Sequence, residues 1–213
     1  MAMQLIGMLD SPYVRRTAIS LRLLGLPFEH RALSVFSTFE QFKQINPVVK
    51  APTLVCDDGS ILLDSNVIIS YAEALAAPHT LLPKDLPALQ LELHVIGLAL
   101  AACEKGVQLV YERNLRPLDK QHQPWISRVT DQLLAALREL NKAILKPGFI
   151  VADKDISQGM ITTTVVWRFI LDMLAETVIT TDYPAITVLA NAMEQLPSFA
   201  AYPATGPGVP RAV

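Results

Sequence analysis

Apolar residues come in short runs over the first third of the chain and in long stripes at spacings of three and four thereafter. Two kinds of architecture are therefore expected in succession. Residues 4–8 form a short apolar run and predict a first strand. Ser11-Pro12 follows as a helix start, with Ser at the N-cap and Pro at the first helical position. The helix it opens carries Val14, Ala18, Leu21 and Leu24 on one face, with Arg15, Arg16 and Arg22 elsewhere, and Gly25 is a good terminator. Residues 29–33 read as a second strand. Residues 38–45 are weakly helical and end before Asn46-Pro47. Thr53-Leu54-Val55-Cys56 and Ile61-Leu62-Leu63 flank Asp57-Asp58-Gly59-Ser60, and Asp-Gly between two apolar runs signals a hairpin. Asp64-Ser65 opens another helix, with Ile68, Tyr71 and Leu75 read as its inner face. The order βαβαββα predicts one mixed four-stranded sheet.

Pro78, Pro83 and Pro87 fall in a stretch with no apolar period, which reads as a linker. Leu89, Leu93, Ile96, Leu100, Cys103 and Val107 then recur at helical spacing and predict a long helix with a buried stripe. Val129, Leu133, Leu137, Leu140 and Ile144 make a second stripe, which Pro147-Gly148 breaks. Ile161, Val165, Phe169 and Met173 make a third, widened by Val166, Ile170 and Leu174, as in a helix at the centre of a bundle. Residues 184–196 predict a shorter helix, and the Pro- and Gly-rich residues 203–213 an irregular tail. The expected division is 1–76, a linker at 77–87, and an all-helical region over 88–213.

The 213 residues are 51% hydrophobic and 18% charged, which supports a sizeable core and excludes the signature of disorder. A net charge of −2 favours neither nucleic acid nor an anionic membrane as partner. Cys56 and Cys103 show no metal-ligand or CxxC spacing and are expected as buried, reduced thiols of a cytoplasmic protein. Met1-Ala2-Met3-Gln4 has no basic region or long apolar segment, so no signal peptide is expected. The most apolar stretch, residues 93–103, is too short to span a bilayer.

Four landmarks carry a resemblance. An N-terminal strand runs into Ser11-Pro12-Tyr13-Val14-Arg15-Arg16. It is followed by Asn46-Pro47-Val48-Val49-Lys50-Ala51-Pro52-Thr53-Leu54, then Asp57-Asp58-Gly59, then Leu63-Asp64-Ser65-Asn66-Val67-Ile68. In order and spacing, through about residue 82, these resemble the thioredoxin-fold half of the cytosolic glutathione S-transferases, and Ser-Pro-Tyr is similar to their serine-type classes. The resemblance implies an α/β thioredoxin-like N-terminal domain plus an all-α helical C-terminal bundle. It also implies glutathione as co-substrate, no metal, and a homodimer. The family often carries a Ser/Thr-x-x-Asp capping box in the helical half. Here the nearest match is Ser157-Gln158-Gly159-Met160, where Met160 cannot return the reciprocal hydrogen bond.

Glutathione needs an anion site, a backbone edge for an extended peptide, and a group that favours thiolate over thiol. Asp64-Ser65 stands at a helix start, where free N–H groups suit a carboxylate. The resemblance gives Ser65 the γ-glutamyl carboxylate; otherwise Asp64 or Ser65 is only an N-cap. Pro52 is implied to be cis, so that Ala51 offers its N–H and C=O to the peptide as an added strand; the alternative is a trans strand-entry proline. Lys50 either meets the glycyl carboxylate or is solvated. Ser11 is the proposed catalytic residue, donating a hydrogen bond to the thiolate with the helix N-terminus behind it; the alternative is a simple cap. Arg15 either adds charge nearby or is a solvated or structural arginine. The electrophile is expected between the two halves, with Tyr13, Glu104, Gln108 and Tyr111 as candidates. The last three share one helical face, which alternatively meets a dimer partner or solvent.

Cysteine is absent from the Ser11 turn, which argues against a glutaredoxin-like reductase, and the turn lacks the signature of the maleylacetoacetate isomerase class. The leading expectation is an enzyme presenting glutathione thiolate to a small hydrophobic electrophile or an organic hydroperoxide. The alternatives are a non-catalytic glutathione-binding or regulatory protein, and a helical interaction protein with an inert first domain.

Overall fold

Met3, Leu5 and Ile6 are buried in β1 (Met3–Ile6), an inner strand of a sheet ordered β2-β1-β3-β4. The structure, a computed structural model, describes residues 2–146, 149 and 156–211. β2 (Phe28–Arg31) runs parallel to β1, with Met3 opposite Phe28 and Ile6 opposite Arg31. β3 (Thr53–Val55) is antiparallel to β1, with Ile6 opposite Thr53, and β4 (Ile61–Leu62) closes the hairpin. The helices of this region are α1 (Pro12–Leu23), α2 (Phe39–Ile45) and α3 (Ser65–Ala76), so the expected βαβαββα order is present.

Two packing expectations need correction. Arg15 and Arg16 lie in the core, each only 2% exposed, because α1 is covered on almost every side. The guanidinium groups escape the cost of burial by finding partners inside the unit. In α3 the buried positions are Ser65, Ile68, Ile69 and Ala72, one continuous helical face. Tyr71 and Leu75, expected inside, are 37% and 47% exposed, and with Val67 at 48% they form a second, outward stripe at spacings of four.

The chain divides into two compact units, Met1–Leu81 with Leu196–Gly208, and Leu82–Gln195 with Val209–Val213. Part of the tail therefore returns to the first unit, whereas 88–213 was expected as one helical region. The cause is a set of anchors. α8 (Pro197–Ala200) buries Phe199 and packs on α1, and Arg15 holds its guanidinium 5.9 Å from the Phe199 ring centroid. Arg15 Nε also donates to the Tyr202 carbonyl at 2.8 Å, while the Tyr202 ring stacks on Phe28 at 5.8 Å.

The second unit is built from α4 (Leu86–Leu115), α5 (Gln123–Ile144), α6 (Gln158–Met173) and α7 (Pro184–Glu194), with α4 packed on α5 and α6, and α7 on α5 and α6. The expected α5 stripe is buried as read. α6 is buried from Gln158 to Ile170 except at Arg168, as befits a central helix. The α4 stripe is out of phase with the expectation. Val95, Ala99, Ala102, Cys103, Gly106, Leu109 and Val110 are buried, while Leu93 is 52% exposed. Small residues at 99, 102 and 106 let neighbouring helices approach, so the inner face is marked by size rather than by bulk. α4 is also long and apolar enough, by length and composition, to cross a membrane. The apolar pattern runs well beyond residues 93–103, but it serves helix packing and carries a buried Glu92. The expected break at Pro147-Gly148 lies outside the described residues.

Ser157 caps α6, accepting from the Met160 N–H at 3.3 Å. The carboxylate that Met160 lacks is supplied by Glu92 of α4, which accepts from the Gly159 N–H and from the Ser157 hydroxyl. Burial raises the Glu92 carboxyl above its ordinary range, and these two hydrogen bonds oppose the rise.

Candidate functional site

Gly7 is where the parts of the first unit converge. It ends β1 with φ at +143°, a conformation side chains rarely adopt. A Cβ there would lie 2.5 Å from Val14 Cγ2 and 3.3 Å from Ala51 Cβ. Only glycine lets the strand end reach both the first turn of α1 and the Ala51-Pro52 loop. The Gly7 N–H donates to the Arg31 carbonyl at 3.1 Å, and the Gly7 carbonyl lies 2.8 Å from His30 Nε2. Neither residue was assigned a role from the sequence, although a glycine between a strand and a Ser-Pro helix start is a readable signal.

Ser11 occupies the N-cap position of α1, yet its side chain makes no capping hydrogen bond. Its carbonyl accepts from the Arg15 N–H at 3.0 Å and its N–H donates to the Met8 carbonyl at 3.2 Å. The hydroxyl is thus not used by the helix whose positive end lies beside it. Pro12 at the first helical position removes one N–H, leaving the remaining first-turn donors to provide that potential.

The Ala51–Pro52 bond is cis, which settles the alternative for Pro52. Asn46 organises this loop from a buried position. Its Nδ2 donates to Thr53 Oγ1 at 2.8 Å and its Oδ1 accepts from the Val48 N–H at 3.0 Å. Thr53 Oγ1 in turn donates to the Lys50 carbonyl at 2.6 Å. Val49 sits at φ +52°, a left-handed conformation that costs a β-branched residue on the order of 1–3 kcal/mol. The surrounding bonds hold it there. Among the described residues, neither the N–H nor the C=O of Ala51 has a backbone partner. Lys50 is exposed.

At α3, Asp64 is the N-cap, its carboxylate accepting from the Asn66 N–H at 2.9 Å. Ser65 is buried, and its Oγ accepts from Arg16 Nη1 at 2.9 Å; the same nitrogen donates to Asn66 Oδ1 at 2.8 Å. Arg16 therefore adds a buried positive charge to the N-terminus of α3 and leaves the Ser65 hydroxyl proton to donate elsewhere. Sequence reading missed Arg16, because an arginine on an amphipathic helix is ordinarily solvated.

The remaining candidates fall in different units. Tyr13 is half-buried on α1 in the first. Glu104, Gln108 and Tyr111 lie on α4 in the second, where Gln108 Nε2 donates to Glu104 Oε1 at 2.9 Å and Glu104 pairs with Lys105 at 3.0 Å. Desolvation raises the Tyr111 phenol, which is therefore a neutral hydroxyl. Among the described residues, no three His, Cys, Asp or Glu side chains cluster as a metal site.

A parallel βαβ joined to a cis-proline hairpin, with a separate helical unit, places the chain among thioredoxin-fold proteins that carry an all-helical second unit. Comparison with known proteins narrows this. The family profile described as glutathione S-transferase, N-terminal domain, matches residues 5–80. The uncharacterized GST-like protein YibF of Escherichia coli (strain K12) is 30% identical over 151 residues, 70% of each chain. A glutathione S-transferase of Triticum aestivum is 28% identical over 92% of this chain and 91% of its own. A crystal structure of a Methylobacterium radiotolerans glutathione S-transferase, in complex with glutathione sulfonate, superposes with a TM-score of 0.86 at 25% identity, covering 100% of this chain and 97% of that one. The chain belongs to the glutathione S-transferase family.

Proposed function

We propose that the chain is a serine-type glutathione transferase. The tripeptide pairs with the N–H and C=O of Ala51, which have no backbone partner among the described residues. Its γ-glutamyl carboxylate takes the Ser65 hydroxyl and the N-terminus of α3 beside Arg16, with Asp64 capping the same helix. Lys50 meets the glycyl carboxylate as a point charge. The sulfur lies at Ser11, whose hydroxyl donates to it and favours the thiolate.

The observation that carries this reading is the Ser11 hydroxyl, at the head of α1 and not used in capping it. Lowering a thiol from about 8.5 to about 6.5 requires roughly 2.7 kcal/mol of preference for the anion. One charge-assisted hydrogen bond together with a helix N-terminus supplies that order of energy. The thiolate then attacks an electrophilic carbon of a hydrophobic substrate, forming a C–S bond as the leaving group departs with its electron pair. With an organic hydroperoxide, two glutathiones reduce the O–O bond to an alcohol and water and end as the disulfide. Tyr13, Glu104, Gln108 and Tyr111 are the candidate contacts for the electrophile. The outward α3 stripe of Val67, Tyr71 and Leu75 supports a homodimer. Cys56 and Cys103, buried and in no disulfide, suit the reducing cytoplasm.

The test compares wild type with Ser11→Ala. Titration of the bound thiol by its thiolate absorbance should show its pKa return toward about 8.5 in the variant. Turnover of a generic aryl halide and of cumene hydroperoxide at neutral pH should fall about 3- to 25-fold, the loss of thiolate when a pKa of about 6.5 rises by one to two units. Retention on immobilised glutathione without turnover in the wild type would instead identify a binding protein. An unchanged thiol pKa in Ser11→Ala would refute the role given to Ser11.

A further inference from the structure

Residues 196–208 return to the first unit and end against Asp10, the residue before Ser11. Asp10 Oδ2 accepts from the Gly208 N–H at 2.8 Å. Gly206 lies so close to the same carboxylate that a Cβ on it would be 2.1 Å from Oδ2 and 2.8 Å from Oδ1. Upstream, the segment is held by Arg15 at the Tyr202 carbonyl and the Phe199 ring, and by Phe28 under Tyr202. The segment thus grips α1 at Arg15 and the turn before it at Asp10.

The turn needs such support. Among the described residues, its one internal backbone bond is Ser11 N–H to the Met8 carbonyl. Gly7 fixes the strand side, and α1 fixes the helix side. Among the described residues, Leu9 and Asp10 have no backbone hydrogen bond of their own. The Asp10 carboxylate is turned to the strap, not to the N–H groups of α1. We propose that the strap formed by residues 203–208 positions the Ser11 turn through Asp10, making Asp10 and Gly206 positioning residues for thiolate formation. This rests on the assignment of the thiol to Ser11. A hydrogen bond to developing charge keeps its value only while donor geometry is held to within about 0.5 Å.

The sign of the effect separates positioning from charge. Removing the negative charge of Asp10 would by itself lower the pKa of a nearby thiol. Loss of the strap loosens the Ser11 donor and raises it. In Asp10→Ala, and independently in Gly206→Ala, the bound-thiol pKa should rise by about one unit, which from about 6.5 cuts the thiolate population at pH 7 about threefold. kcat at neutral pH should fall about threefold by the same measure, with KM for glutathione within about twofold. Asp10→Asn keeps an acceptor for the Gly208 N–H but loses the charge, so its bound-thiol pKa should lie at or below the wild-type value and its kcat should be at least that of wild type. Amide hydrogen exchange over residues 9–14 should quicken in the Ala variants and not in Asp10→Asn. Unchanged exchange would overturn the strap itself. Faster exchange with an unmoved thiol pKa, while Ser11→Ala does move it, would overturn the positioning role and leave the Ser11 assignment standing. If Ser11→Ala also leaves the pKa unmoved, the assignment fails and the positioning role with it.

Discussion

Removing the Glu92 carboxylate tests how the second unit begins its central helix. Glu92→Ala deletes an acceptor for two donors, the Gly159 N–H and the Ser157 hydroxyl. Hydrogen bonds to a charged group contribute about 1.5–3 kcal/mol each, and the buried Gly159 N–H left alone costs about 1–3 kcal/mol. Against this, the variant no longer buries a carboxylate, a cost large enough to raise its pKa. The net expectation is a loss of about 2–4 kcal/mol at neutral pH, most of it the unpaired donor. Trp125 and Trp167 are the two tryptophans of the chain and both lie in the second unit, so denaturant unfolding followed by their fluorescence reports that unit. Glu92→Gln keeps an oxygen for Gly159 and should stay within about 1 kcal/mol of wild type, the worth of one net hydrogen bond. The pH dependence has a definite sign. With its carboxyl raised above 4.5, the native state binds more protons than the unfolded chain just above that pH. Wild-type stability relative to Glu92→Gln is therefore greatest below about 4.5 and falls as pH rises through the folded value. A Glu92→Ala midpoint indistinguishable from wild type would refute the remote cap.

Two further substitutions probe the first unit. Arg16→Met removes the donor to Ser65 Oγ and Asn66 Oδ1 and should weaken glutathione binding about tenfold or more, as expected for a charge-assisted bond of at least 1.5 kcal/mol, measured by calorimetry; unchanged affinity would place the carboxylate elsewhere. Gly7→Ala forces a Cβ to within 2.5 Å of Val14 Cγ2 and should destabilise the first unit by about 1–3 kcal/mol, read by thermal unfolding. A variant as stable as wild type would show that strand and helix separate freely there.

The sheet, the hairpin, the α5 stripe and the N-cap positions of α1 and α6 were legible because they depend on near neighbours in sequence. Period, turn chemistry and capping residues are local signals. The errors arose where burial is decided by partners far along the chain. Arg15 and Arg16 look solvent-facing until Tyr202, Phe199 and Ser65 come into contact with them, at separations of 187 residues for Tyr202 and 49 for Ser65. The α3 stripe was misplaced because Val67, Tyr71 and Leu75 have the same period as the truly buried set and more apolar bulk. The α4 phase was lost for the converse reason, since much of its inner face, at Ala99, Ala102 and Gly106, carries little apolar bulk. Of the candidate site, Ser11, Pro52 and Asp64-Ser65 were readable as motifs. Gly7 left a local signal between the strand and the Ser-Pro helix start, but Arg16 left none, because its work lies in contacts with Ser65 and Asn66 that the sequence does not display.

The capping of α6 shows the same physics acting across elements. Buried backbone N–H groups must find acceptors, so a helix start that lacks its local carboxylate has to obtain one from elsewhere or lose stability. Here the acceptor comes from 67 residues upstream. The exchange places a second demand on the sequence. A Cβ at position 159 would lie 2.8 Å from Glu92 Oε1 and 3.1 Å from its carboxyl carbon. Glycine is a poor helix former, costing about 0.8–1.0 kcal/mol against alanine in a helix interior. At this first-turn position that penalty is outweighed by admitting the carboxylate. Met160, Gly159 and Glu92 are then one solution in three residues. Met160 frees the local side chain for the core, Glu92 replaces its lost function, and Gly159 makes the room.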